Sequence, residues 1–301
     1  MTRTIQITPP LSIGTRLLWV LEYWALKRID AWGSGYIVGT LVLVTHNALT
    51  FKTGLLVATI AANYWLGFWL NDYFDAPYDR SDERKARLNL FVQQPSARRL
   101  VGIVTGVIIA ISAALFFSFG ARGIFTLLVS LLVMWAYSAH PWRLKSRPGW
   151  DLLIHALFVL TWPYAVCLWL SGAAWTTLDG ILIAGCFLVS LNSQLNQQIR
   201  DYDVDSRTDT NFTTRFGLAR SILFLKSSTV AVILLFVLAA VMGNIPWLLL
   251  PFGLGLLPSF AHYLLHTFDH STRIFPRRIV YVFMILALIY TNFLIMLEGA
   301  L

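Results

Sequence analysis

Asn71-Asp72-Tyr73-Phe74-Asp75-Ala76-Pro77-Tyr78-Asp79 follows directly on an apolar run, Gly54–Trp69. A second acidic stretch behaves in the same way. Gln197-Gln198-Ile199-Arg200-Asp201-Tyr202-Asp203-Val204-Asp205-Ser206-Arg207-Thr208-Asp209 follows the apolar run Leu178–Leu195. With Asp82 and Glu83, these stretches hold nine of the fifteen acidic residues of the chain. Carboxylates are costly at membrane depth, and those that occur there usually serve a site. The chain therefore reads as a bundle of apolar helices, two of which carry clustered acids at one end.

The rest of the composition agrees. Of 301 residues, 57% are hydrophobic and only 13% are charged, about half the charge of a soluble domain. The class is integral membrane, and residues 1–301 read as one polytopic domain. A net charge of +8 raises nucleic acid as a partner. The basic residues, however, lie between apolar segments and form no tail or stripe, so that class is set aside. Cys167 and Cys186 both stand inside apolar stretches and read as small buried hydrophobes, not as a disulfide or a metal site. Near Arg3 no compact apolar run leads to a small-residue cleavage site, so no signal peptide is expected.

A spanning helix needs about 20 apolar residues. Nine segments qualify: Trp24–Thr45, Gly54–Trp69, Leu100–Phe119, Gly123–Ala139, Leu152–Leu170, Leu178–Leu195, Ile222–Met242, Trp247–His266 and Ile279–Leu297. Before them, Leu11–Leu21 mixes Arg16 with Leu17, Leu18, Trp19 and Leu21, a pattern for an interfacial amphipathic helix. Charge placement tests the count. Of the 23 Lys and Arg, all but Lys52 and Arg122 fall in or beside the N-terminal region and the even-numbered connections, with Lys27, Arg28 and Lys226 just inside the adjoining segment ends. The positive-inside rule assigns that side to the cytoplasm. The N-terminus is then cytoplasmic, the C-terminus extracytoplasmic, and both acidic clusters face the cytoplasm, as expected of a bacterial-type inner membrane protein.

Asn71, Asp75 and Asp79 are spaced i, i+4, i+8, which places them on one helix face about 6 Å apart. Gln197, Asp201, Asp205 and Asp209 repeat that spacing. Carboxylates so close repel one another unless a cation is shared. Oxygen donors without Cys or His favour Mg²⁺, and Mg²⁺ typically binds one or two carboxylates together with substrate phosphate. Two facing clusters would hold two ions around a diphosphate. Pro77 lacks a backbone donor and disfavours helix at Ala76, which predicts that the helix ends near Asp75 and leaves Asp79 to a loop or a new first turn. Between the clusters, Tyr137-Ser138-Ala139-His140-Pro141-Trp142-Arg143-Leu144-Lys145-Ser146-Arg147 brings three cations to the end of the fourth segment. Arg and Lys bind phosphate oxygens; the competing reading is ordinary positive-inside flanking.

Three stretches resemble the signatures of the UbiA-type intramembrane prenyltransferases: Asn-Asp-Tyr-Phe-Asp (71–75), Tyr-Ser-x-x-Pro-x-Arg-x-Lys (137–145) and Arg-Asp-Tyr-Asp-x-Asp (200–205). They occur in that family's order, and the resemblance covers nearly the whole chain. It implies an all-α fold of nine transmembrane helices around a central cavity, with Mg²⁺ and a prenyl diphosphate bound at two Asp-rich motifs. By resemblance, Asn71, Asp72, Asp75 and Asp79 belong to the first metal-binding motif, and Asp201 and Asp205 to the second. Tyr137, Arg143 and Lys145 match the intervening loop. Two departures leave the acceptor open. Many members carry Arg-Thr-x-x-Arg-Pro after the first motif, where this chain has Asp82-Glu83-Arg84-Lys85-Ala86-Arg87-Leu88-Asn89-Leu90. His140 stands where the family often has proline.

Other polar residues are weighed beside these. Asn63, two turns before Asn71, either lines the cavity or packs in the bundle, and Gln197 extends the second cluster towards substrate. Asn192, Gln194 and Asn196 precede that cluster, and polar groups there avoid lipid. His262, His266 and His270, with Asp269, read as a polar helix end more readily than as a metal site. The expected function is Mg²⁺-dependent transfer of a prenyl group to a hydrophobic acceptor, aromatic or lipid- or carotenoid-like, within the membrane. The alternatives are cyclisation of a prenyl diphosphate without acceptor and, more remotely, transport of Mg²⁺ or an organophosphate. Transport fits poorly, because the polar residues cluster at one membrane face instead of spreading across its depth.

Overall fold

Every hydrophobic segment of the sequence must satisfy its own backbone in lipid, and a helix does so within the segment. A computed structural model describes residues 14, 29–93, 95, 98–265 and 277–298, and all elements among them are helical. The helices are α1 (Ile29–Thr45), α2 (Phe51–Asp79), the short α3 (Glu83–Leu88) and α4 (Leu90–Gln93), α5 (Arg98–Phe117), α6 (Gly120–Ser138), α7 (Trp150–Ser171), α8 (Thr177–Thr208), the short α9 (Phe212–Phe216), α10 (Leu218–Val241), α11 (Leu250–Leu264) and α12 (Arg277–Glu298). Seven runs are long and apolar enough to cross a membrane: α2, α5, α6, α7, α8, α10 and Trp247–Leu264, which contains α11. Two shorter apolar helices, Ile29–Thr45 and Tyr281–Leu297, coincide with the first and last expected segments. The Leu11–Leu21 stretch, Gly14 apart, lies outside the described residues, as do His266, Asp269 and His270.

The starts of the two helices that carry the acidic clusters are locked by side chains. At α2, Thr50 Oγ1 accepts from the Thr53 backbone and Thr53 Oγ1 from the Thr50 backbone. Thr176 and Asp179 make the same reciprocal cap at α8. Each cap satisfies two otherwise orphaned donors. From these starts both helices run beyond their apolar stretches and carry the acidic clusters on their last turns. For α2 this corrects the expectation that Pro77 ends the helix near Asp75: the helix continues through Pro77 to Asp79. Only two helical residues follow Pro77, so one backbone hydrogen bond is forfeited close to a terminus where bonds already run out. Ala76, 2% exposed, is held by packing against Leu90 and Phe91 in the same core cluster.

Neighbours in sequence are neighbours in space. Contacts run α1–α2, α2–α5, α5–α6, α6–α7, α7–α8, α8–α10, α10–α11 and α11–α12, and α12 returns to α1, closing a ring. Inside α7 a π-turn spans Leu157–Thr161. Such a turn loosens the carbonyl ladder, and the Tyr64 hydroxyl of α2 donates to the Val159 carbonyl. The end of the ring opposite the acids is filled. Val42, Leu43, Leu56, Val57, Leu127, Tyr164, Cys167 and Leu168 form one buried cluster there. There too, fully buried Asp179 accepts from Tyr164 Oη (2.7 Å) and meets His46 Nε2 (2.9 Å). Apolar closure of one end leaves the polar chemistry to the other.

Candidate active site

The last two turns of α2, the connection after α6 and the last turns of α8 converge. Lys145 Nζ donates to Asn71 Oδ1 (2.6 Å) and Asp75 Oδ2 (2.5 Å). Arg143 Nη2 donates to Asp75 Oδ1 (3.0 Å) and lies 3.5 Å from Asp209 Oδ2. The intervening loop is thus wedged between the two acidic helix ends. Its backbone is bent to do so. Arg143 adopts the left-handed conformation (φ 35°, ψ 59°), uncommon for a residue with a Cβ and a strain that surrounding contacts must hold. Ser146 Oγ accepts from Arg143 Nε (2.8 Å), and the guanidinium lies 4.4 Å from the centre of the Tyr78 ring. Arg143 Nη1 is left buried with no acceptor. A buried donor without a partner carries a desolvation cost that an anionic ligand would relieve.

The second cluster is held differently. Lys85 Nζ, from α3, lies 2.5 Å from Asp205 Oδ1, and Asn211 Nδ2 donates to Asp205 Oδ2 (3.1 Å). Arg200 Nε lies 3.0 Å from Asp201 Oδ1, and Asp201 itself is buried. In the first cluster, Asn89 Nδ2 donates to Asp79 Oδ2 (2.8 Å) and to the Asp72 carbonyl (2.7 Å). Asp72 is buried, and its carboxylate accepts from the Leu90 backbone (3.3 Å) at the start of α4. Burial pulls the Lys145 ammonium below the usual lysine range while Asp75 pulls the other way. Burial acts likewise on Lys85, but there the bond and charge of Asp205 prevail and its pKa stands above the usual value. Both lysines are partly buried cations, and each is paired.

Among the described residues, no three His, Cys, Asp or Glu side chains converge as ligands around one point. The acids are instead neutralised in pairs by side-chain cations and amides. Their donor set remains all-oxygen, a chemistry that suits a hard divalent cation. Asn71, Asp75, Asp79, Asp201 and Asp205 therefore fit such an ion in kind, with Lys145 beside the first set and Lys85 beside the second.

The other expected residues are placed as follows. Tyr137 stands half-buried in the last turn of α6. Gln197 is exposed on α8, one turn before Asp201. Asn63 gives its amide to the Thr59 carbonyl (2.9 Å) and Ser112 Oγ (3.0 Å), joining α2 to α5. Asn192 bonds Thr229 Oγ1 (3.2 Å) and so packs α8 on α10. Sequence reading missed Lys85, Asn89, Asn211, Gln198 and Asp151. Fully buried Asp151 accepts from Gln198 Nε2 (2.7 Å) and the Phe212 backbone (2.6 Å), while Gln198 Oε1 accepts from Thr213. This network fixes the chain just beyond Asp209. The one available signal was an acid directly after Gly149-Trp150, at the first turn of an apolar helix, where negative charge is favoured.

The UbiA prenyltransferase family model matches residues 32–295. No curated protein sequence matches the chain. Solved structures of a UbiA homolog from Archaeoglobus fulgidus share the fold. The form bound to DMAPP and Mg²⁺ is 16% identical, with a TM-score of 0.72 over 93% of this chain and 100% of that one. The form bound to GPP and Mg²⁺ is 17% identical, with a TM-score of 0.70 over 91% and 99%. A third structure of that homolog is 19% identical, with a TM-score of 0.65 over 92% and 98%.

Proposed function

The chain belongs to the UbiA prenyltransferase family, and from that premise we propose that it transfers a prenyl group from an isoprenoid diphosphate to a hydrophobic acceptor inside the membrane. The observation that carries the reading is the wedge of Arg143 and Lys145 between two acidic helix ends, with Arg143 Nη1 buried and unsatisfied. A diphosphate would offer acceptors to these donors. The Archaeoglobus homolog, bound to DMAPP or GPP with Mg²⁺, supports both the substrate class and the ion. Asn71, Asp75, Asp79, Asp201 and Asp205 would hold Mg²⁺, with Asp72 behind them as the brace of α4. Bound there, Mg²⁺ supplies Lewis-acid neutralisation of diphosphate oxygens.

The chain's own residues do the rest. As the carbon–oxygen bond breaks, its electron pair stays on the diphosphate. Arg143 and Lys145 are fixed donors for that growing charge, and fixed donors act without reorganising. Tyr137 stands at the root of the same loop and orients it, and Gln197 and Asn63 line the approach. The prenyl cation then bonds to the acceptor, which loses a proton. Apolar walls keep water from intercepting the cation. We further propose nine crossings, with α1 and α12 completing the seven long spans, the N-terminus cytoplasmic and the site at the cytoplasmic face of an inner membrane.

The test is product mass spectrometry on purified protein given a panel of prenyl diphosphates, Mg²⁺ and a lipid extract of the host. Transfer predicts an acceptor heavier by the prenyl unit. A cyclised hydrocarbon from the diphosphate alone would replace transfer by cyclisation, and intact diphosphate throughout would refute both.

A further inference from the structure

A recess of mixed polar and apolar lining lies beside the site just described. It encloses about 340 Å³ and is lined by Tyr73, Phe74, Pro77, Tyr78, Arg80, Arg98 and His140, with Ala76 at its floor. Its walls come from the last turns of α2, the first residue of α5 and the connection just after α6. Those are the ends of three membrane-crossing runs, so the recess sits at the level of lipid headgroups. No acidic side chain lines it. Arg80 and Arg98 are exposed, and neither makes an ion pair among the described residues. The Tyr78 hydroxyl and His140 Nε2 lie 3.4 Å apart across its rim.

We propose that this recess binds the phosphate headgroup of an anionic membrane lipid. Two guanidiniums and an imidazole converge on a space without a counter-charge, and guanidinium is suited to phosphate oxygens. The two rings do not suit a choline head. Arg98 already lies 5.6 Å from the centre of Tyr73, and Arg143 lies 4.4 Å from that of Tyr78, so the chain's own cations take the cation–π positions. The acyl chains would run along the exposed apolar side chains of α5 and α6, among them Ile103, Val107, Leu128 and Leu132. Tyr78 is shared, forming one wall of this recess and the platform for Arg143. The inference rests on the membrane placement of α2, α5 and α6, and not on prenyl transfer.

Native mass spectrometry of the purified full-length protein in detergent, titrated with phosphatidylglycerol or phosphatidylcholine, tests it. Phosphatidylglycerol should be retained at one copy per chain, well above phosphatidylcholine. Each basic residue near an anionic surface contributes enough that Arg80→Gln with Arg98→Gln should weaken retention about thirty-fold. Arg215→Gln with Arg220→Gln removes equal charge from exposed residues of α9 and α10 and should leave retention unchanged. Equal losses in the two double variants would mean diffuse surface attraction and would overturn the proposal. So would equal retention of the two lipids by the unaltered protein, a comparison that requires no variant to fold. Displacement of phosphatidylglycerol by millimolar inorganic phosphate would reassign the recess to a free anion and overturn the lipid.

Discussion

At the scale of single residues, the site is a set of charges that compensate one another. Asp75 takes both Arg143 and Lys145, so no single removal leaves its neighbours unchanged. Asp75→Ala and Asp201→Ala are expected to abolish diphosphate ionisation; because Asp75→Ala also leaves Arg143 and Lys145 without their shared partner, Asp75→Asn, which keeps an acceptor there, should lose activity as well while staying closer to the parent in stability. Product formation on variants with unaltered gel-filtration profiles checks this; near-normal rates in both would refute the assignment. Asp79→Ala should be milder, since Asp79 is tied to Asn89. Arg143→Ala and Lys145→Ala should lower kcat as well as raise KM. Their charge opposes one that grows in the transition state, and the loss of one such donor typically costs about 10²–10³ in kcat. Steady-state kinetics separates this from a purely topological role, which predicts normal kinetics and altered insertion.

At the scale of elements, two long helices run past the hydrocarbon and are caught by short ones. α3 supplies Lys85 to Asp205, and the start of α9 supplies Asn211 to the same carboxylate. The first acidic helix is likewise braced by Asn89, just before α4. The junction of α7, α8 and α9 depends on Asp151. Asp151→Ala would leave the Phe212 backbone and the Gln198 amide without their acceptor. Unmade bonds of this kind cost about 1–3 kcal/mol each. A lower thermal midpoint and a reduced rate through a displaced Asp209 are expected. An unchanged midpoint in a detergent-stable assay would show the network to be dispensable. The proposed divalent ions would act at this scale too, because Lys145 and Lys85 neutralise the acids without bringing the two helix ends onto a diphosphate. Excess EDTA should therefore stop turnover, and added Mg²⁺ should restore it; full turnover in EDTA would refute the metal.

At the scale of the whole molecule, a ring of helices is closed by apolar packing at one end and lined with charge at the other. The proposed orientation has a direct readout. A membrane-impermeant maleimide on intact cells should label Met242→Cys, exposed in the turn after α10, and spare Ser206→Cys on the acidic side. The reverse pattern would invert the topology. Native Cys167 and Cys186 lie within apolar helices and should stay silent. Helical class, membrane residence and the identity of both acidic clusters were legible in the chain alone. Hydropathy and the i, i+4 spacing are local properties, and α2 and α8 carry them without help from partners. The passage of α2 through Pro77 was not legible, because the local rule for proline yields to the packing of Ala76 against α4. Nor were Lys85 to Asp205 and Asp151 to Phe212, pairs 120 and 61 residues apart, or Asn89 to Asp79, only 10 apart but joined across the fold-back from α2 to α4; their residue types are ordinary for loops. Which lysine meets which carboxylate depends on the closing of the ring, and ring closure is a sum of many apolar contacts that no short stretch of sequence displays.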